Sequence, residues 1–267
     1  MSAMQRSNSP TKVLGSARAN QWRVGPSEVS LVRPPIEPKP VSVAAEPQDL
    51  VIDLSRTAFV VVDMQNDFCE KGGYLDYRGV DYRLDRKPIQ PIARTAPLLR
   101  DLGVPIVWLN WGVRPDLLNT SPSLLHAHTP DGSGAGLGET IPGGSPILVE
   151  GSWGAAIVEG LTPDPRDIRV TKYRFSGFWD TPLDSILRNL GVTTLLFAGV
   201  NADQCVMSTL QDGMFLGYDC VMVEDCVGTT SPEYCMQATL YNVKLLYGFV
   251  TRSESLVRGI EEAKHGG

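Results

Sequence analysis

The chain has 267 residues, 42% of them hydrophobic, with a formal net charge of −6. That length buries one large core. The acidic balance and the lack of a basic stripe argue against a nucleic-acid partner, and no apolar run reaches the ~20 residues that a membrane span needs.

Residues 1–50 hold seven of the 20 prolines and little apolar periodicity. Arg33-Pro34-Pro35-Ile36-Glu37-Pro38-Lys39-Pro40 is expected to be extended, polyproline-like backbone. The segment reads as a Pro-rich N-terminal tail and arm, without the apolar core of a signal peptide. Its apolar residues Leu31, Val32, Ile36, Val41, Val43 and Leu50 are more than a free tail needs. The arm is therefore expected to pack on a neighbouring subunit of a homo-oligomer, a dimer or tetramer. Residues 51–267 are expected to form one domain.

From Thr57 the pattern becomes regular. Ala58 to Asp63 is a continuous apolar run closing on an acid, the mark of a strand buried on both faces. A Gly-containing loop follows, then a helix near Pro91–Leu102, the stop at Gly103, and a second buried strand at Val104–Leu109. Residues 111–146 are rich in Gly, Pro and Ser and read as a long loop, a length that is commonly functional. Ser152–Leu161 is expected as a short helix and Ile168–Lys172 as a third strand. Pro182 opens a helix that Gly191 ends. Leu195–Val200 is the fourth strand, Cys220–Val223 the fifth and Tyr247–Thr251 the sixth, with helices at Pro232–Val243 and Ser253–Ala263. Strands alternating with helices predict an α/β fold: a doubly wound, mainly parallel six-stranded sheet with helices on both faces.

In such sheets the reactive crevice lies beyond the carboxyl ends of the strands. Asp63 ends strand one, Lys172 ends strand three, and Cys205 follows strand four. After Cys205, the spacing of Met207, Leu210, Met214 and Phe215 predicts a helix. Its N-terminal dipole is expected to lower the Cys205 pKa and make the thiol a nucleophile. The three histidines are poorly placed as bases: His265 is near the C-terminus, and His126 and His128 sit in the long loop. Asp63 is the better base, with Lys172 holding it ionised and stabilising the thiolate. Phe68, Trp111, Phe175 and Phe178 are expected to line the pocket. The remaining cysteines, Cys69, Cys220, Cys226 and Cys235, bring the count to an odd five with no C-x-x-C. That usage fits reduced thiols in a cytoplasmic protein.

Three motifs in this order resemble the isochorismatase-like cysteine hydrolases: Asp63-Met64-Gln65-Asn66-Asp67-Phe68, Thr171-Lys172-Tyr173-Arg174-Phe175-Ser176-Gly177-Phe178, and Gly199-Val200-Asn201-Ala202-Asp203-Gln204-Cys205-Val206. The resemblance covers roughly residues 55–252. It implies a catalytic triad of Asp63, Lys172 and Cys205. It also implies a cis peptide at Val200–Asn201 that aims the N–H groups of Asn201 and Cys205 into an oxyanion hole. Within the family, Gly151-Ser152-Trp153 and Asp180-Thr181-Pro182-Leu183 look like ureidoacrylate amidohydrolases. Gly72-Gly73-Tyr74 and Glu224-Asp225-Cys226 look like biuret and triuret hydrolases. The implied activity is hydrolysis of a C–N bond beside a ureido carbonyl, with a small ureide as partner and no cofactor. Asn110-Trp111-Gly112-Val113-Arg114-Pro115 lacks the Asp/His cluster of the nicotinamidase branch, so no catalytic metal is expected.

Tyr173 and Arg114 join the expected substrate contacts. Asn201 and Gln204 both donate and accept hydrogen bonds, which leans the reading toward a neutral linear ureide such as triuret or biuret. Arg114 and Arg174 are the cations that would serve the carboxylate of ureidoacrylate instead. The competing readings are an N-carbamoyl amino acid or nicotinamide hydrolase, a non-catalytic binding protein on the same fold, and a thiol redox protein.

Overall fold

The computed structural model describes residues 12–265. Twelve strands follow in chain order: β1 (Lys12–Leu14), β2 (Trp22–Val24), β3 (Val29–Ser30), β4 (Pro40–Val43), β5 (Ala45–Glu46), β6 (Leu50–Asp53), β7 (Thr57–Val62), β8 (Ile106–Trp111), β9 (Ile168–Lys172), β10 (Thr194–Gly199), β11 (Asp219–Val227) and β12 (Phe249–Thr251). The α-helices are α1 (Asn66–Cys69), α2 (Tyr74–Tyr77), α3 (Ile89–Asp101), α4 (Pro122–His128), α5 (Leu183–Leu190), α6 (Met207–Phe215), α7 (Glu233–Asn242) and α8 (Ser253–His265).

The main sheet runs β5-β12-β11-β10-β7-β8-β9. Its last six strands are parallel, and these are the six that the apolar runs mark out. The seventh, β5, comes from the arm and pairs antiparallel with β12 through Val250 and Glu46. Every residue of β7 and β10 is buried, as centre strands covered on both faces must be. Right-handed crossovers place α3 on one face, where it packs against α8, and α5, α6 and α7 on the other. None of the described helices is long and apolar enough to cross a membrane.

Two close approaches fix the registers that matter. Gly199 pairs with Val62 at the carboxyl ends of β10 and β7. A Cβ on Gly199 would lie 1.9 Å from the Val62 carbonyl oxygen, so only glycine lets these strand ends meet. Gly259, inside α8, would place a Cβ 2.0 Å from the Ser42 carbonyl oxygen. Glycine inside a helix costs about 1 kcal/mol relative to alanine; here it admits β4 against the helix.

Three local expectations differ from the structure. Ser152–Leu161 is a series of turns, because its backbone is held by residues 64–67 rather than by itself: Asn66 N–H bonds to Ala156 O, Asp67 N–H to Gly154 O, and Val158 N–H to Met64 O. The 111–146 loop contains a helix, α4, started by Pro122. The arm folds back on its own domain. Val41 and Val43 are buried in the core, β4 and β6 form a hairpin on α8, and Asn20 bonds to Asn189 at the end of α5. Only Leu31 and Val32, among its large apolar residues between 30 and 50, stand exposed.

Removing residues 1–45 should therefore destabilise the domain itself. Burying a valine contributes about 1.5–3 kcal/mol, and 1 kcal/mol moves the midpoint of a chain of this size by about 2–4 °C. A thermal melt of the truncated protein should fall by at least ~5 °C; an unchanged midpoint would show the arm to be dispensable.

Candidate active site

At the end of β7 the chain turns sharply. Asp63 has φ +51°, a left-handed conformation uncommon for a non-glycine residue. Its N–H bonds to Leu109 O on β8, and its C=O accepts from Gln65 N–H. This turn leaves the Asp63 side chain in the fully buried layer beyond the sheet. Lys172, last residue of β9, lies beside Trp111 in the ladder and is equally buried. Its Nζ is 2.7 Å from Asp63 Oδ2, 3.2 Å from Arg174 O, and 4.1 Å from the centre of the Trp111 ring. The ammonium thus meets a carboxylate, a carbonyl and a π face, three partners suited to a desolvated cation.

The third member arrives from β10. Val200–Asn201 is a cis peptide, and Ala202–Val206 forms a single π turn before α6. Such turns are frequent at functional sites. Cys205 lies in this turn, buried, with its thiol interacting with both Asp63 and Lys172. Thr209 ties the turn down: its hydroxyl donates to Cys205 O at 2.7 Å and accepts from Gly177 N–H at 3.1 Å. Among the described residues, the Asn201 N–H reaches no carbonyl.

The electrostatics differ from the sequence-based expectation for the thiol. Burial pushes the Cys205 pKa far above its usual range; Lys172 opposes this and Asp63 reinforces it. Loss of water outweighs the end of a helix that begins only at Met207. Burial also raises the Asp63 carboxyl, against the pull of Lys172. Burial thus favours the Cys205 thiol over the thiolate, and the Asp63 carboxyl lies beside it.

Around these three residues the motif beginning at Asp63 is a polar scaffold. Gln65 Nε2 donates to Trp111 O and Ala155 O, and its Oε1 accepts from Trp111 N–H. Asn66 Nδ2 donates to Trp153 O. Asp67 accepts from Leu148 N–H and Tyr74 N–H, while burial pushes its pKa up to about 6.

The expected substrate contacts divide. Trp111 and Phe175 meet edge to face at 5.5 Å, beside Lys172, and Phe175 reaches the surface. Tyr173 is half-buried under the Arg174 guanidinium. The other contacts are turned away. Phe178 stacks on Tyr218 and packs on Gly213 of α6. Asn201 Oδ1 accepts from Thr230 N–H, and Gln204 is exposed, donating to Ser231 Oγ. Arg114 is exposed and bound to Asp116, as Arg174 is to Asp180. Phe68 is buried in the core. The two arginines find partners in their own loops and the other side chains find them in distant segments, which residue type alone does not disclose.

One residue of the long loop, not expected among the substrate contacts, joins them. His128, last in α4, contacts Trp111, Phe175 and Tyr74. The signal for it was a Pro-initiated helix in a long loop. Among the described residues no three His, Cys, Asp or Glu side chains come together as a metal site requires.

Known proteins place this architecture. The isochorismatase domain matches residues 57–255. The chain is 35% identical, over 212 residues, to ureidoacrylate amidohydrolase RutB of Methylorubrum extorquens, covering 79% of this chain and 85% of that protein. A cysteine hydrolase from Pseudomonas syringae pv. phaseolicola superposes with a TM-score of 0.67 at 27% identity, covering 79% of this chain and 95% of its own. N-carbamoylsarcosine amidase from Thermoplasma acidophilum does so with a TM-score of 0.58 at 27% identity, covering 74% and 97%.

Proposed function

The chain belongs to the isochorismatase family, and on that footing we propose that it is a thiol-dependent amidohydrolase that cleaves a C–N bond beside a ureido carbonyl. The observation that carries this reading is the buried Asp63–Lys172 contact of 2.7 Å beside the Cys205 thiol. A relative named for ureidoacrylate and a structural neighbour named for N-carbamoylsarcosine support the ureido class, since both compounds carry a carbamoyl nitrogen.

The reaction runs in two halves. Asp63 takes the proton from Cys205 Sγ as the sulfur attacks the ureido carbonyl carbon. The Sγ–C bond forms and the carbonyl π pair moves to oxygen. The N–H groups of Asn201 and Cys205 hold that oxyanion. On collapse the C–N bond breaks, and Asp63 passes its proton to the departing nitrogen. Water then attacks the thioester-type intermediate with Asp63 as its base. The acid or carbamate leaves and Sγ recovers its proton. Lys172 stays charged throughout and balances the negative charge as it moves between carboxylate and sulfur.

Asn201 Oδ1 and Gln204 Nε2 are each engaged, by Thr230 and Ser231, which weakens the preference for a neutral linear ureide. Ureidoacrylate therefore heads the panel, followed by biuret, triuret, N-carbamoylsarcosine and nicotinamide. Ammonia and carbamate release should be detected with at least one ureide and be absent with Cys205→Ala. Asp63→Asn and Lys172→Met should each cost at least ~10²-fold in kcat, and the double variant little more, because the three groups act as one unit. No turnover of any ureide, or activity above about one per cent of wild type in the Cys205→Ala protein, which the ~10⁶-fold effects of nucleophile loss exclude, would overturn the reading.

The pH profile offers a separate check. Asp63 accepts a proton only when ionised, and burial raises its pKa. Lowering the pH protonates it and stops the reaction, so kcat/KM should fall on the acid side through a midpoint above the ordinary carboxylate value of 3.8. A profile flat down to that value would show that another group serves as base.

The surface also supports an assembly. Phe215 and Leu216 at the end of α6, with Tyr241, Leu245 and Leu246 after the middle of α7, are exposed. That many large apolar side chains in one region supports a homo-oligomer. Light scattering should give a mass at least twice that of the chain, and Leu245→Glu should reduce it.

A further inference from the structure

The catalytic steps leave one buried titratable group beside Trp111 unused. His128 Nδ1 lies 2.9 Å from Leu124 O. A carbonyl oxygen only accepts, so Nδ1 carries the proton and donates. Burial, aided by the nearby Lys172 charge, holds the ring below its ordinary pKa and keeps it neutral. Nε2 therefore presents a lone pair, and no hydrogen bond from the described residues reaches it. The ring cannot easily turn: it stacks on Phe175 at 6.3 Å and 10°, meets Trp111 edge-on at 5.6 Å, and lies 5.9 Å from Tyr74. The Tyr74 hydroxyl is already committed, donating to His128 O at 2.6 Å.

The wall formed by Trp111, Phe175 and His128 is thus apolar except for two groups. Among the described residues the buried Trp111 indole N–H has no partner, and it can only donate. Nε2 of His128 can only accept. Trp111 also covers Lys172, so this wall adjoins the Asp63–Lys172–Cys205 cluster. A ureido group needs an acceptor for its N–H as well as donors for its carbonyl oxygen, and the donors are supplied on the nucleophile side.

We propose that Nε2 of His128 accepts a hydrogen bond from the terminal amide N–H of the bound ureido group, making His128 a specificity-determining residue for carbamoyl substrates. The assignment rests on the ureide reading given above. It separates substrates with a free terminal –CONH2 from those whose terminal nitrogen is fully alkylated. Such a site rejects an analogue that leaves its buried polar group unpaired.

The test compares the best ureide of the panel with its terminal N,N-dimethyl counterpart, each as substrate or, where turnover is not detected, as competitive inhibitor. Wild-type protein should favour the free amide. His128→Leu should lower kcat/KM for the free amide by about 10–100-fold, mainly through KM, while the dimethyl compound changes by less than about 3-fold, the pattern of one lost hydrogen bond. His128→Gln, which restores an acceptor, should recover part of the preference. If His128→Leu does not fold, His128→Phe continues the stack on Phe175 and serves in its place. Equal losses for both compounds would indicate a structural role and overturn the assignment, as would an unchanged preference in a protein that hydrolyses the ureide. Absence of any ureide turnover by the wild-type protein would instead remove the ureide reading, and this assignment with it.

Discussion

The site depends on one ion pair that has been taken out of water. Lys172 and Asp63 touch at 2.7 Å with both side chains essentially inaccessible. Desolvating two charges costs several kcal/mol per ion, and their mutual attraction repays this only where geometry and further partners are good. Lys172 has those partners in the Arg174 carbonyl and the Trp111 ring. Asp63 is helped by the Lys172 ammonium, the Cys205 thiol and the Trp111 backbone, yet burial outweighs them and raises its pKa. A desolvated carboxylate is a stronger base than a solvated one. The arrangement that is costly for folding thus readies Asp63 to take a proton.

The same burial disfavours a preformed thiolate at Cys205. Cysteines activated at exposed helix ends ionise because water and positive charge both help. Around Cys205 only Lys172 helps, and Asp63 has already claimed much of that charge. Burial thus works against the thiolate, while the Lys172 ammonium sits against the Asp63 carboxylate. A neutral thiol in a closed site is also poorly exposed to adventitious oxidation, which suits a hydrolytic role better than a redox one.

Much of this was legible in the chain. Each continuous apolar run that ended in a chemically distinctive residue was a parallel strand, and the alternation with helices placed Asp63, Lys172 and Cys205 at one sheet edge. Periodicity reports burial by neighbouring layers, so it served well wherever the layers are regular. It failed where partners come from afar. Ser152–Leu161 has the composition of a helix start but spends its backbone hydrogen bonds on residues 64–67. Val41 and Val43 looked available to a neighbour because nothing local says that Gly259 opens a seat for them on α8. Met214 and Phe215 continue a helical spacing yet point outward. Asn201 and Gln204 have the right chemistry to read a ureide, but a rotamer toward Thr230 and Ser231 cannot be inferred from residue type. The thiol pKa departs from its sequence-based expectation for the same reason: dipole direction is local, whereas desolvation is a property of the finished core.

The motif that most readily marks this chain as a hydrolase is, in physical terms, mostly architecture. Of Asp63 to Phe68, only Asp63 reaches Lys172. Gln65 spends three buried hydrogen bonds joining Trp111 to Ala155, Asn66 holds Trp153, and Asp67 holds Leu148 and Tyr74. Four separate stretches of chain are thereby fixed to the end of β7. Each bond goes to a backbone group, so it sets where a loop runs without specifying which side chains that loop carries. Trp111 covers Lys172, and Tyr74 supports His128. One short segment therefore positions Lys172 and the aromatic wall together. Side chains on the fixed loops can then vary to suit different carbonyl compounds without disturbing the Asp63–Lys172 contact, and that separation lets a single scaffold serve several amide substrates.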